Sequence, residues 1–286
     1  MTVNVSREAA RTVENASAMT PKKARSTSGL AVNVGLPFVV FLILLGFFYL
    51  AALYYDKVAQ LPFLVPYPQL ILKSIFDEPA FQPQLLQALG NTVLVAVVGL
   101  AIAIVIGTVW AVLMVQARWV ESALFPYAVV LQCVPVLALV PLIGSLFGYG
   151  YASRVIITVL FCLFPLVANT LFGLQSVDRG QLELFQLQGA GRLTTLTKLR
   201  FPAALPSIFV GLRSSAGVSV IGAVVADQFF QRGQGGLGVL ILVEDQRLNG
   251  PEMYAVILVS SVLGVLVFVL FNILRRLAVG KWADKN

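Results

Sequence analysis

From Val39 to Ala52 the chain carries no charged residue, and Tyr49 is the only side chain there with a polar group. No soluble surface helix or edge strand can be built from such a run. In lipid every backbone N–H and C=O must find its partner within the segment, and only a helix or a closed barrel does that. The run, extended to Val34–Tyr55, is long enough for helix to cross a bilayer, which takes about 20 residues.

Hydropathy predicts further spans over Thr92–Val115, Ser122–Phe147, Arg154–Leu174, Leu205–Ala226 and Met253–Leu274, giving an all-α membrane protein of about six transmembrane helices. Pro126, Pro135, Pro141 and Pro165 fall inside the third and fourth spans, where kinks or breaks are expected. Composition agrees with lipid as the main solvent. Of 286 residues 58% are hydrophobic and 12% charged, and the mean hydropathy is +0.89. Soluble domains carry about 25% charge.

Residues 1–30 are rich in Ser, Thr and Ala without apolar periodicity and are expected to form a mobile cytoplasmic tail. A membrane domain is expected over 31–280 and a short cytoplasmic C-terminal tail over 281–286. A removable signal peptide is not expected, because the charged leader is long and the first apolar run can span. Leu61–Gly90, with Pro62, Pro66, Pro68, Pro79 and Pro83, reads as an outer loop holding short interfacial helices.

The net charge is +7, yet the basic residues lie between and beside the apolar runs and make no continuous face for nucleic acid. They instead set orientation, since basic connections stay cytoplasmic. With an even number of spans and both termini inside, Arg7, Arg11, Lys22, Lys23, Arg25, Arg118, Arg179, Arg192, Lys198, Arg200, Arg275, Arg276, Lys281 and Lys285 fall on the cytoplasmic side. Lys57, Lys73, Arg154, Arg232 and Arg247 fall outside, and Arg213 lies within the fifth span.

Chemistry is poorly represented. The chain has no histidine, and Cys133 and Cys162 both fall inside spans, which excludes a Cys-His nucleophile and a zinc site of the usual kind. Asp227 is the acid at a span edge and has no partner near it in sequence, so no catalytic residue and no metal or cofactor in this chain is expected. Helix packing is better marked. Gly99, Ala103, Gly107 and Ala111 recur every four residues, a stripe on which a neighbouring backbone can come close. Gly211, Ser215, Ser219 and Ala223 repeat the pattern on the fifth span and lead to Asp227. Polar groups inside a membrane face a wet cavity or another helix. Arg213, Ser215, Ser219 and Asp227 are therefore candidates for a translocation path, the other reading being a seam of interhelical hydrogen bonds.

The connection 175–204 is amphipathic, with Leu182, Phe185, Leu193, Leu196 and Leu199 at helical steps on either side of Gly189. Gly189 and Gly191 suit a sharp turn between two short helices, and Pro202 and Pro206 precede the next span. By physics alone this segment is either an interfacial helix on the headgroups or a docking element for a cytoplasmic partner.

The same residues resemble the cytoplasmic EAA loop of binding-protein-dependent ABC importer permeases: Glu-Ala-Ala, three residues, Gly, nine residues, Ile-x-Leu-Pro. Glu183, Gly189 and Pro202 hold matching positions, with Leu184 and Phe185 for the alanines and Leu199 and Phe201 for Ile and Leu. Glu8-Ala9-Ala10 is a decoy, with Glu14 where the glycine belongs. From Gln84 to Leu274 the chain is similar to the nitrate, sulfonate, taurine and pyrimidine-precursor branch, through Asn91-Thr92, Val134–Leu142, Phe147–Gly150, Gly173–Asp178, Pro202–Arg213 and Gly235–Gly238.

This resemblance implies a type I importer fold in a bacterial inner membrane. It implies two permease copies, a homodimer being the simpler case, around a central path, with a cytoplasmic ATPase dimer and an extracytoplasmic solute-binding protein as partners. Glu183, Gly189, Ala190, Gly191, Arg192 and Pro202 would then form the coupling loop for the ATPase. ATP and Mg would bind the partner, since this chain has no Gly-x-x-x-x-Gly-Lys-Ser/Thr, and its Gly280-Lys281 is followed by Trp282. Val134–Leu142, Phe147–Gly150 and Val220–Asp227 look more like permeases for hydroxymethylpyrimidine or riboflavin-type heterocycles than those for sulfonate, taurine or nitrate. An ion-coupled secondary transporter or channel is the reading of another class, and it fits less well because the spans hold almost no acids and no internal repeat.

Overall fold

The computed structural model describes residues 28–280 and divides the chain into two units, Met1–Tyr54 and Tyr55–Asn286. The predicted tails at 1–27 and 281–286 lie outside the described residues; Ser28–Leu30, read as tail from the sequence, already belong to a helix. The described part of the first unit belongs to a single helix, α1 (Ser28–Lys57), which contains Pro37. Leu36, Phe38, Phe41, Leu44 and Phe47 are exposed along it, as suits a helix whose solvent is hydrocarbon.

The second unit is built from α2 (Pro68–Phe76), α3 (Gln82–Val115), α4 (Arg118–Cys133), a 3-10 turn (Val136–Leu139) and α5 (Val140–Phe147). It continues with α6 (Tyr151–Gln175), α7 (Arg179–Leu187), α8 (Arg192–Thr195), a π-helical turn (Leu196–Arg200), α9 (Phe201–Phe229), α10 (Leu237–Gln246) and α11 (Gly250–Val279). No strand occurs among the described residues. Among the described residues, five helical stretches are long and apolar enough to cross a membrane: Gly35–Lys57, Gln82–Val115, Tyr151–Gln175, Arg192–Phe229 and Gly250–Ala278.

The third predicted span, Ser122–Phe147, is not one rod. Its two halves, Arg118–Cys133 and Val136–Phe147, meet at 89°. Val134 and Pro135 between them are extended (ψ 125° and 99°), because a residue ahead of proline is driven out of the helical region and proline has no amide to carry the ladder on. The pair nonetheless takes the chain from one end of the bundle to the other. Arg118 and Glu121 border a cavity with Met114, Leu174 and Gln175 at one end, and Val140 and Ile143 pack on Ile157, Ala226 and Phe230 at the other. Pro165, by contrast, lies within an unbroken α6.

In the outer loop predicted over Leu61–Gly90, α2 is the short helix expected. The last part, Gln82–Gly90, is already helix α3, with Pro83 in the first turn where a missing amide costs nothing.

The core is α6 held between α3 and α9. Gly99, Ala103, Gly107 and Ala111 are all buried, and a Cβ on Gly99 would sit 2.8 Å from Cβ of Thr158, so the backbone of α3 rests directly on α6. Gly211 meets α6 from the other side, its missing Cβ facing Asn169 and the Pro165 carbonyl. Val95, Leu100, Val159, Leu166, Val220 and Ala223 fill the space between the three helices. Without a hydrophobic force between helices in lipid, close backbone approach and dispersion hold such a core together.

Candidate functional site: an amphipathic loop joined by one helix to a buried ion pair

Helix α7 ends in a Schellman motif. The Ala190 amide donates to the Phe185 carbonyl (3.0 Å) and the Gly189 amide to the Gln186 carbonyl (2.9 Å), while Gly189 takes φ +70°. The turn expected at Gly189 is there, and its left-handed backbone is the reason for glycine. Gly191 is different. Its φ of −69° and ψ of 164° are open to any residue, so the expectation that it too needs glycine's freedom is corrected. Its carbonyl receives the Thr195 amide (3.0 Å) as the next helix begins.

From Arg192 the chain runs without interruption to Phe229. Pro202 sits in the first turn of α9, after the wider π-helical turn at Leu196–Arg200, and Arg200 reaches the Leu174 carbonyl at the end of α6 (3.4 Å). At 1.5 Å per residue this 38-residue stretch is about 57 Å long. One continuous helical element thus connects the loop to the far end of the bundle.

Glu183, Gly189 and Arg192 are exposed and Ala190 half-buried. The apolar row expected along the loop is partly tucked in, with Leu182, Phe185, Leu196 and Leu199 half-buried. The apolar side chains that stand out are Leu184 (54% exposed), Leu187 (86%) and Leu193 (73%). Leu193 belongs to the expected row yet is exposed, because sequence periodicity could not tell which side the bundle would cover.

The path candidates separate. Ser215 is fully buried and ties α9 to α6, its hydroxyl donating to the Cys162 carbonyl (3.0 Å). Ser219 donates to Ala216 in its own helix (2.8 Å) and borders a cavity of about 310 Å³ between α3, α9 and α11. The Arg213 guanidinium lies over the Phe268 ring of α11, 4.9 Å from its centroid, and pairs with no acid among the described residues. Nearby, Ser214, Gly217, Ile221, Ser260, Ser261 and Phe268 line a groove of about 630 Å³.

Asp227 has a partner that sequence reasoning missed. Arg154, assigned above to an outer connection, is 2% exposed and its Nη1 lies 3.2 Å from Oδ1 of the fully buried Asp227. The pair is close but not aligned as a hydrogen bond, because the guanidinium is turned toward carbonyls. Nε donates to Phe230 (2.7 Å), Nη1 to Gln234 (2.7 Å) and Nη2 to Arg232 (3.2 Å). Thr92 donates to Asp227 Oδ2 (3.0 Å) and accepts from the Leu237 amide (2.8 Å), and Asn91 donates to the Gly235 carbonyl (2.8 Å). A Cβ on Gly236 would strike the Asp227 carboxylate and the Thr92 hydroxyl, and one on Gly238 the Val224 carbonyl. The only sequence signals were an arginine heading a span, an acid closing another, and a run of glycines after it.

No metal cluster of histidine, cysteine or carboxylates occurs among the described residues. An α-helical bundle whose polar groups tie long apolar helices together, with an exposed amphipathic loop continuous with one of them, defines a multi-pass membrane protein. The chain belongs to the family described as binding-protein-dependent transport system inner membrane components, which matches residues 99–280. It is thus a transmembrane permease of an ABC importer for small solutes.

Relatives agree. The formylaminopyrimidine transport permease ThiX of Halalkalibacterium halodurans is 34% identical over 227 residues, covering 79% of this chain and 88% of that protein. The riboflavin transport system permease RibX of Chloroflexus aurantiacus is 33% identical over 165 residues, 58% of this chain and 60% of its own. An Escherichia coli protein named for aliphatic sulfonates transport, SsuC, is 31% identical over 161 residues, 56% and 60%. These relatives are transport components, not enzymes.

Proposed function

We propose that this permease passes a planar nitrogen heterocycle of the hydroxymethylpyrimidine or riboflavin type into the cell. Two copies would form the path, a solute-binding protein would load it from outside, and an ATPase dimer holding ATP and Mg would dock on the loop at 175–204. Both termini would be cytoplasmic. The observation that carries the ATPase reading is the exposed trio Leu184, Leu187 and Leu193 around the fixed Gly189 turn, an apolar surface on an otherwise polar loop. Glu183, Ala190 and Arg192 would border the contact, and Pro202 would set the start of the lever. The domain limits follow the same scheme, with the tails outside the membrane portion at 31–280.

Within the bundle, Arg213 with its neighbouring groove is the segment we assign to the solute, while Ser219 borders the separate cavity between α3, α9 and α11. Ser215 and Asp227 serve the solute segment by fixing α9 on α6. A cation over an aromatic ring offers a flat surface to a conjugated solute with oxygen acceptors. The heterocycle reading is supported by the names of ThiX and RibX. SsuC supports sulfonates as the second reading.

Uptake of labelled hydroxymethylpyrimidine, formylaminopyrimidine, riboflavin, taurine, alkanesulfonate and nitrate into cells with and without the intact transporter tests the choice. Heterocycle uptake dependent on this chain is expected; uptake of the anions alone would refute it. Orientation is tested by single cysteines. One at Asp77 should react with an impermeant thiol reagent added outside and one at Ser176 should not, and the reverse pattern would overturn the topology.

A further inference from the structure

Two charges enclosed at one end of a membrane bundle need a reason. Arg154 on α6 faces Asp227 on α9 and donates to three carbonyls of the segment 230–234 that leads from α9 to α10. Thr92 on α3 bridges Asp227 to the first amide of α10, and Asn91 holds Gly235. Four helices therefore meet at one polar knot. The last carbonyls of α9 would be satisfied by water or a single cap, so capping alone does not call for a buried arginine, a buried acid and two glycines seated without room for a Cβ.

We infer that Arg154 is a positioning residue that welds the ends of α3, α6 and α9 and the start of α10 into one block, which stays shut throughout the transport cycle. This rests on the reading that the loop at 175–204 receives the ATPase and that the knot lies at the opposite, outer end. Motion imposed at the loop travels along the continuous helix Arg192–Phe229 and arrives at the knot. Were the knot to open there, Asp227, the guanidinium and three carbonyls would all lose their partners at once. The low-cost motion is for the block to move whole, so the outer mouth opens along some other surface, and Gln231–Gln234, exposed on the block, is carried with it.

The test compares the intact permease–ATPase complex at rest and trapped with ATP and vanadate, in a Cys133→Ser background that removes the exposed native thiol. Gln231→Cys should react with an impermeant thiosulfonate from outside in both states. Thr92→Cys, fully enclosed, should react on the order of 100-fold more slowly in both, as expected for a group reached only by local unfolding. Reaction of Thr92→Cys within tenfold of Gln231→Cys in either state would overturn the weld.

Because Thr92→Cys alters the knot itself, hydrogen exchange of the Leu237 amide in the unaltered protein is a second readout. Protection in both states is expected, and its loss on trapping would refute the inference. Arg154→Lys, which keeps the charge but cannot reach three carbonyls, should speed that exchange at rest by on the order of 100-fold while α3 amides near Gly107 stay protected; unchanged exchange would refute the role given to Arg154. Gln231→Cys reacting only from the cytoplasmic side would instead show that the orientation, not the weld, is wrong.

Discussion

Replacing Arg154 by methionine keeps most of its volume and removes its charge, leaving a fully buried Asp227 carboxylate with Thr92 as its remaining side-chain donor. Removing one partner of a buried ion pair costs about 3–5 kcal/mol. The Phe230, Arg232 and Gln234 carbonyls lose donors as well, at about 1 kcal/mol each if water reaches them and more if it does not. Arg154→Met should therefore destabilise by at least ~5 kcal/mol. Asp227→Asn also leaves a buried charge without its counter-ion, but is milder, at about 3 kcal/mol, because an amide oxygen still accepts from Thr92 and the arginine keeps its three carbonyls. In the double variant no charge is left unpaired, so adding Asp227→Asn to Arg154→Met should recover about 1–3 kcal/mol. Unfolding of the purified protein in mixed micelles of increasing SDS fraction, followed by tryptophan fluorescence, measures all four corners of the cycle. Equal losses in the two single variants, with the double variant additive, would refute the claim that Arg154 is the hub and Asp227 one of its several partners.

Gly189 is constrained by its backbone and not by space, since nothing approaches its missing Cβ within 4 Å. Gly189→Asn, which tolerates φ near +70°, should keep ATPase copurification, whereas Gly189→Val, costing about 1–2 kcal/mol in that conformation, should reduce it while membrane insertion stays normal; equal behaviour of the two would refute the backbone argument. Gly191→Ala should be silent in the same assay, because its φ is −69°. Leu184→Ser with Leu187→Ser should abolish copurification without lowering the SDS fraction for unfolding, as both side chains are mostly exposed; retained copurification would remove the apolar contact from the docking surface.

Much of this architecture was legible in the residues because its causes are local. A run such as Val39–Ala52 has one stable conformation in lipid, and every predicted span is found as helix, though the second begins at Gln82 and not at Thr92, and Ser122–Phe147 is divided where Pro135 forces an extended step. Glycine at 189 was legible for the same reason, since amphipathic segments on either side require a turn. The four-residue stripe from Gly99 to Ala111 announced a close approach, though not the partner, which is α6.

What folding alone decided is which distant groups meet. Arg154 follows Tyr-Ala-Ser and reads as one more outer cation, and Asp227 reads as an acid without a mate, because nothing within a helical turn of either marks the other. Only when α6 is enclosed between α3 and α9 do the guanidinium, the carboxylate and Thr92 converge, and only the twist of those helices turns Ser215 toward Cys162 and leaves Ser214 facing the groove. Hydropathy records the free energy of each segment against lipid, a sum over neighbours in sequence. The ion pair and the exposed Leu184–Leu187 edge depend on which face each helix gives to another, and that is set by packing across the whole bundle.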